Sequence, residues 1–260
     1  MNHHKRESNL KTILKSHFDE VGEKLSNYEE LKTYGSRDNN EYLRAPYQYV
    51  EEELINNISN QKILDYCCGT GVYSIIPALN NAKIFGIDIS NRSIDVAKER
   101  ADIFNVSDKC IFNVCDAEKL SFEDNFFDLI LSYRSLSYLD LEKSFKELRR
   151  VLKPNGKLIV IDALGYNPII NYNRKTNIKN YAPDYLNDLK TLTHKDLNIS
   201  LKYFNSYSIK YFDFFTLAGY AISKQFQYRI DPNKLIRIDN LFLRLPLINR
   251  LSFKFVCIIS

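Results

Sequence analysis

From residue 8 to residue 58 the apolar positions recur at helical spacing, predicting mixed-faced helices over 8–34 and 41–58 with the turn-like YGSRDNN between them. At Lys62 the period changes. KILDYCC reads as a short buried strand, followed by a glycine turn and the helical VYSIIPALNN. KIFGIDIS is a second strand and RSIDVAKERADIFN a second amphipathic helix, while CIFNVCDA and FFDLILSYRS are two further strands. DLEKSFKELRRVLKP reads as a helix stopped by Pro154, with Asn155-Gly156 turning into the strand KLIVIDAL. Strands alternating with helices at this spacing predict an α/β chain whose mostly parallel sheet is flanked by helices on both faces.

Beyond Asp162 the alternation lapses. Residues 165–200 read as loop and short helix, KYFNSYSIKYF as a strand and FDFFTLAGYAISKQF as a helix. Residues 234–250 read as a basic-apolar helix ended near Pro246, and FKFVCIIS as a final strand. The organisation expected is an N-terminal helical lid over 1–58, a core over 59–164, a cap over 165–250 and a strand at 251–260 that returns to the sheet.

Composition alters this picture in two places. The net charge of +4 conceals an asymmetry, because residues 165–260 hold 14 Lys/Arg against 6 Asp/Glu and 17 of the 34 Phe and Tyr. A basic, aromatic C-terminal part therefore follows a mildly acidic N-terminal part. Five cysteines, an odd number, favour free thiols and a cytoplasmic setting. The opening MNHHKRESNLK has no apolar core of a secretory signal, and no run approaches the ~18 apolar residues of a spanning helix.

Candidate chemistry gathers in DYCCGTG, which falls between the first strand and the first core helix. Open α/β sheets bind ligands there, at the carboxyl ends of the strands. Gly69 and Gly71 let a ligand lie against the backbone, and the helix that follows presents free N–H groups to an anionic group. A second acid, Asp88, ends the next strand 23 residues after Asp65, the place for a carboxylate that grips a ribose diol. Gly69-Thr70-Gly71-Val72-Tyr73-Ser74 lacks the last glycine of a dinucleotide loop, and no phosphate-loop lysine follows. The loop therefore reads as a nucleoside site. No metal is expected, because adjacent Cys67 and Cys68 diverge and no His or Cys nearby completes a zinc spacing.

Residues 62–162 resemble class I S-adenosylmethionine-dependent methyltransferases of the small-molecule methyltransferase-domain type, through ILDYCCGTG, IFGIDIS, NVCDAEKLSFEDNFFDLILS and ELRRVLKPNGKLIVID in that order. The resemblance implies a Rossmann-like fold with S-adenosyl-L-methionine as cofactor. It places Asp65 and the Cys67–Gly71 backbone, with Gly69 between, around the methionine part. Asp88 with Ile89 then holds the ribose, Asp116 with Ala117 reads the adenine edge, and Ser132 lies beside the amino acid moiety. Cys67 stands where the family often has glycine. Tyr133, Arg134 and Tyr138 follow the fourth strand, where family substrates approach, so Tyr133, Tyr138 and the more distant His194 are the candidate catalytic residues. Tyr42, Arg44 and Tyr47 are expected to close over the cofactor from the N-terminal helices.

Methyl transfer to an O, N or C atom of a small or lipid-like biosynthetic intermediate is the expected function. RNA or protein/peptide methylation, cofactor binding without methylation, and a cyclisation on the same scaffold stay open beside it. The fourth strand runs into SYRS rather than the [DNS]-P-P-[YF] loop of base methylases, which argues against nucleic acid as partner. The basic-apolar segment KLIRIDNLFLRLPLINR also suits peripheral membrane contact.

Overall fold

The structure, a computed structural model, describes residues 3–35, 40–55, 58–189 and 191–260. Among these residues the chain forms one seven-stranded sheet of β1 (Lys62–Tyr66), β2 (Lys83–Asp88), β3 (Cys110–Val114), β4 (Phe127–Tyr133), β5 (Leu152–Ala163), β6 (Tyr207–Phe212) and β7 (Lys254–Ile259). The order across it is β3-β2-β1-β4-β5-β7-β6. The first five strands run parallel, and β7 inserts antiparallel between β5 and β6. From β1 the chain winds outward to β2 and β3, then returns to lay β4 on the other side of β1. The carboxyl ends of β1 and β4 part there and leave the crevice in which such sheets take ligands.

Side chains alternate between two cores, because neighbouring strand residues point to opposite faces. Ile63, Ile84, Leu129, Leu131 and Ile161 face one core. Leu64, Tyr66, Ile130, Leu158 and Val160 face the other. Helices α3 (Ala45–Ile55), α4 (Ile75–Leu79) and α5 (Asn91–Ile103) cover the first face, with Val50, Ile75, Ile94 and Ala97 buried. Helix α6 (Leu141–Val151) covers the second, burying Phe145, Leu148 and Val151 at three-residue spacing.

At the top, α1 (His3–Lys24) and the single turn α2 (Tyr28–Leu31) stand where one long helix was expected. Most of the expected turn YGSRDNN, and the end of the helix expected over 41–58, fall at positions 36–39 and 56–57, outside the described residues. Three further expectations change. Helix α6 ends at Val151, three residues before Pro154, because Leu152 already pairs with Phe127. The register then jumps to Leu129–Lys157, so Asn155-Gly156 belongs to a bulge inside β5 rather than a turn before it. VYSIIPALNN yields only the five-residue α4.

The region expected as a cap is divided. Its first part, expected as loop and short helix, holds the 14-residue α7 (Pro168–Tyr181) and the short α8 (His194–Leu197). The strand β6 follows and belongs to the sheet, not to a cap. The remainder is a helical hairpin of α9 (Phe215–Phe226) and α10 (Pro232–Phe242). Asp239 of α10 accepts hydrogen bonds from Phe215 N (2.7 Å), Thr216 N (3.2 Å) and Thr216 Oγ (2.8 Å), so one helix caps the start of the other.

Candidate active site

Where β1 ends, three residues of the loop adopt left-handed backbone: Cys67 (φ 58°), Gly69 (φ 52°) and Gly71 (φ 73°). A side chain on Gly69 would project into open space with nothing within 4 Å, so the glycine leaves bare backbone facing the cavity. Gly71 serves differently. A Cβ there would stand 2.9 Å from Ala97 Cβ, so its absence lets the loop lie down on α5. The turn is closed by Cys68 N donating to Ile87 O (2.8 Å) and Gly71 N donating to Cys68 O (3.0 Å). Beneath it the fully buried Arg100 donates to Thr70 O and Glu30 O, tying the loop to α2.

Two carboxylates flank this turn. Asp88 Oδ2 accepts from Gly69 N (2.9 Å) and its Oδ1 from Ser90 N (2.9 Å). Burial pushes its carboxyl up, and those backbone donors hold it back. Asp65, 2% exposed, accepts from Ser74 Oγ at 2.6 Å. Burial pushes it up to about 7, opposed by the Ser74 bond and assisted by the neighbouring Asp88 charge. A third acid, Asp116, forms an ion pair of 2.7 Å with Lys11 of α1, and Lys11 also reaches Glu118 at 2.7 Å. The N-terminal helix is thereby fastened across the ends of β2 and β3.

These groups open into one cavity of about 1240 Å³. Such a volume exceeds the ~300–1,000 Å³ of most single-ligand pockets and has room for two molecules. Its roof is α1, whose Leu14 packs against Ile178, Ala182, Tyr185 and Leu189. One wall is aromatic. The rings of Tyr73 and Tyr133 stack at 4.1 Å, and Tyr47 stacks behind Tyr73 at 5.1 Å. Tyr133 is held well above the ordinary phenol range, chiefly by burial and then by the Asp65 charge, so its hydroxyl stays protonated.

Of the residues singled out from sequence, Asp65, Cys67, Gly69, Asp88, Ile89, Asp116, Ala117, Tyr133 and Tyr138 line this cavity. Gly71, Ser132, Arg44 and His194 do not. Gly71 lies against α5, and Ser132 is buried behind Ser135, sharing a 2.7 Å hydrogen bond with it. Arg44 immediately precedes α3, where its carbonyl accepts from Tyr47 N and Gln48 N at 3.0 Å. His194 sits by β6, its Nε2 2.7 Å from the Tyr211 hydroxyl, and burial with the nearby Arg250 charge lowers its pKa. It is a packing residue of α8 rather than a group at the cavity.

The fold brings Arg134, which follows β4, to the cavity together with two groups that the sequence did not single out, Asp162 at the end of β5 and Arg174 on α7. Asp162 is 1% exposed, and burial pushes it up to about 6 against the Ala163 N–H and the charges of Arg174 and Arg134. The sequence places Arg134 with Tyr133 and Tyr138 where substrates of the resembling family approach. No local motif links it to Asp162 and Arg174, which are 28 and 40 residues further on. Among the described residues, no group of three or more His, Cys, Asp or Glu is placed to hold a metal ion.

An acid–glycine turn at the parting of β1 and β4, with a second acid ending β2, is the arrangement in which open α/β sheets hold nucleosides. Residues 57–202 match the family model of the methyltransferase domain, and the chain belongs to that family. It is 34% identical over 155 residues to a sterol 4-C-methyltransferase of Caenorhabditis elegans, covering 59% of this chain and 42% of that protein. It is also 34% identical over 105 residues to a demethylmenaquinone methyltransferase of Bacteroides fragilis, covering 39% and 43%. The matches thus span less than half the length of these curated relatives. Among solved structures, a geranyl diphosphate C-methyltransferase from Streptomyces coelicolor A3(2) has a similar fold, with a TM-score of 0.59 at 15% identity over 82% of this chain and 78% of that one.

Proposed function

We propose that this chain is an S-adenosylmethionine-dependent methyltransferase acting on a small or lipid-like acceptor. Asp88 beside the open face of Gly69 carries the assignment, since a carboxylate at a strand end next to bare backbone suits a ribose diol. The residues present fit that cofactor. Asp65 and the Cys67–Gly69 backbone border the space for its methionine part, and Asp116 with Ala117 the space for its base.

When bound, S-adenosylmethionine supplies a methyl group already activated on a sulfonium, so the chain contributes alignment and exclusion of water. Tyr73 and Tyr133 offer flat walls against which an acceptor packs. Helix α1 lines the top of the same cavity. Tyr133 holds its own proton and acts by shape, whereas Asp162, at about 6, is able to take one from an acceptor at neutral pH. No step requires a metal, and EDTA should leave turnover intact.

Binding calorimetry tests the assignment. S-Adenosylmethionine and S-adenosylhomocysteine should bind and NAD should not. Asp88→Ala should weaken S-adenosylhomocysteine by about 1.5–3 kcal/mol, the scale of hydrogen bonds to a charged group. Tighter binding of NAD, or an unchanged affinity in the variant, overturns it.

Contact with a lipid surface is part of the same proposal. On the α9–α10 hairpin and the loop after it, Phe226, Tyr228, Leu241 and Leu247 are exposed at 72%, 67%, 64% and 79%. Exposed Lys224, Lys234, Arg237 and Arg244 fringe them, while the acid Asp239 is turned inward. Apolar tips with a basic fringe suit an anionic membrane surface, where lipid-like acceptors reside. No helix among the described residues is long and apolar enough to cross a membrane. All five cysteines are free, which favours the cytoplasm.

A further inference from the structure

Asp162, Arg134 and Arg174 border the cavity with bonding capacity that the protein itself leaves unused. Asp162 Oδ1 accepts from Ala163 N at 2.7 Å and the Ser137 N–H also lies near the carboxylate, but its buried Oδ2 makes no close hydrogen bond. A buried carboxylate oxygen without a donor is costly, and native folds seldom leave one without a reason. Arg174 donates from Nη2 to Ser137 Oγ at 3.0 Å and lies over the Tyr138 ring at 4.8 Å, while its buried Nε has no partner. The Arg134 side chain makes no ion pair or hydrogen bond among the described residues. Its backbone is left-handed (φ 56°), held by its N–H donating to Ile161 O at 2.7 Å. Strained backbone at a cavity wall persists where it aims a functional side chain.

Were this a structural ion-pair cluster, the carboxylate would sit on one of the guanidinium groups. No ion pair joins Asp162 to either arginine among the described residues. Two guanidinium groups that stay charged, with an orphan acceptor beside them, call for a ligand carrying an anion and a donor together. Apolar and aromatic side chains, among them Tyr73, Tyr133, Ile170, Leu217 and Phe253, line the same cavity.

We propose that the acceptor is an apolar molecule bearing a carboxylate or phosphate, seated on Arg134 and Arg174, and an adjoining hydroxyl that donates to Asp162 Oδ2. The proposal rests on the cavity being a methyl-transfer site and names the acceptor class for it. Planar guanidinium groups take carboxylates and phosphates in paired hydrogen bonds, which a lysine cannot reproduce. The hydroxyl lets Asp162 and the acceptor's anion lie side by side, since a plain anion would place two acceptors face to face.

Calorimetry on the S-adenosylhomocysteine-loaded protein tests this with 2-hydroxydecanoate, decanoate, decyl phosphate and decan-1-ol. The hydroxy acid should bind most tightly and decanol at least tenfold more weakly than decanoate. The ratio of decanoate to decyl phosphate identifies the preferred anion. Arg134→Gln and Arg174→Gln should each weaken 2-hydroxydecanoate about tenfold while leaving S-adenosylhomocysteine binding in place, and Arg134→Lys should restore part of the loss. Asp162→Asn should tighten decanoate and so narrow its gap from the hydroxy acid. Decanol binding as well as the acids overturns the proposal, as do arginine variants without effect or an Arg134→Gln loss that falls on S-adenosylhomocysteine. If S-adenosylhomocysteine does not bind and the acids still bind the unloaded protein in the expected order, the acceptor site stands and the methyltransferase assignment fails.

Discussion

Cys67 holds a left-handed backbone that costs an ordinary side chain about 1–2 kcal/mol. Glycine there would remove that strain but lose about 0.5–1 kcal/mol through its freer unfolded chain. Cys67→Gly should therefore stabilise slightly, raising the melting temperature by ~1–3 °C for a chain of this size. A fall would mean that packing of the thiol outweighs the strain. Asp65 makes a prediction of the same scale. Its folded pKa of about 7 lies above the ordinary carboxyl value, so the folded protein holds a proton that the unfolded chain has released. That stabilisation is complete at low pH and is lost as pH rises toward 7 and above. Asp162 and Asp213, each pushed up to about 6, act in the same direction. Without ligand, the melting temperature should fall between pH 5 and pH 8, and Asp65→Asn should flatten part of that slope. Equal slopes in the two proteins would show Asp65 ionised in the fold.

Among the elements, the strands of the core were legible because each carries its own signal: a compact apolar run closed by an acid, as in KILDY and KIFGID, marks a buried parallel strand. Helix α7 was not legible. PIINYNRKTNIKNY buries only Ile170 and Ile178, and its packing partner is α1, some 150 residues earlier. Strand β6 was visible as a strand, yet nothing within it states that it pairs with β7 at the sheet edge. The site divides the same way. The cofactor-side acids lie in contiguous motifs, whereas the Asp162–Arg134–Arg174 group is assembled from three elements. For the hairpin, Arg237→Glu with Arg244→Glu should abolish sedimentation with phosphatidylserine vesicles while leaving S-adenosylhomocysteine affinity unchanged. Loss of cofactor affinity would make α10 part of the core, and unchanged sedimentation would make these arginines plain surface.

At the scale of the whole molecule, the cavity exists because the N-terminal helix α1 forms a roof over a sheet whose cavity-lining strands lie between residues 62 and 163. The sheet side is bound by two continuous apolar cores. The roof is fastened differently. Beyond the Leu14 cluster, α1 is held by the His17–Tyr181 stack at 3.9 Å, by Ser90 Oγ donating to Asp19 at 2.6 Å, and by charged contacts: Lys11 to Asp116 and Glu118, Glu7 to Lys143 at 2.6 Å, Glu23 to Arg92 at 2.6 Å, and Arg6 to Asp188 at 2.8 Å. The exposed pairs among these, such as Arg6–Asp188, contribute only about 0–1 kcal/mol each, and salt screens them over a Debye length of about 10 Å at 0.1 M and 3 Å at 1 M. Apolar contacts are not weakened this way. Raising sodium chloride from 50 mM to 1 M should therefore speed proteolytic clipping of α1 and release of S-adenosylhomocysteine several-fold, with little loss of global melting temperature. Equal rates at both salts would place the hold in the Leu14 cluster instead. A protein built so has a door on an electrostatic latch. Its turnover would follow ionic strength, and an anionic membrane that draws basic side chains away from their partners would loosen the same latch where a lipid-like acceptor waits.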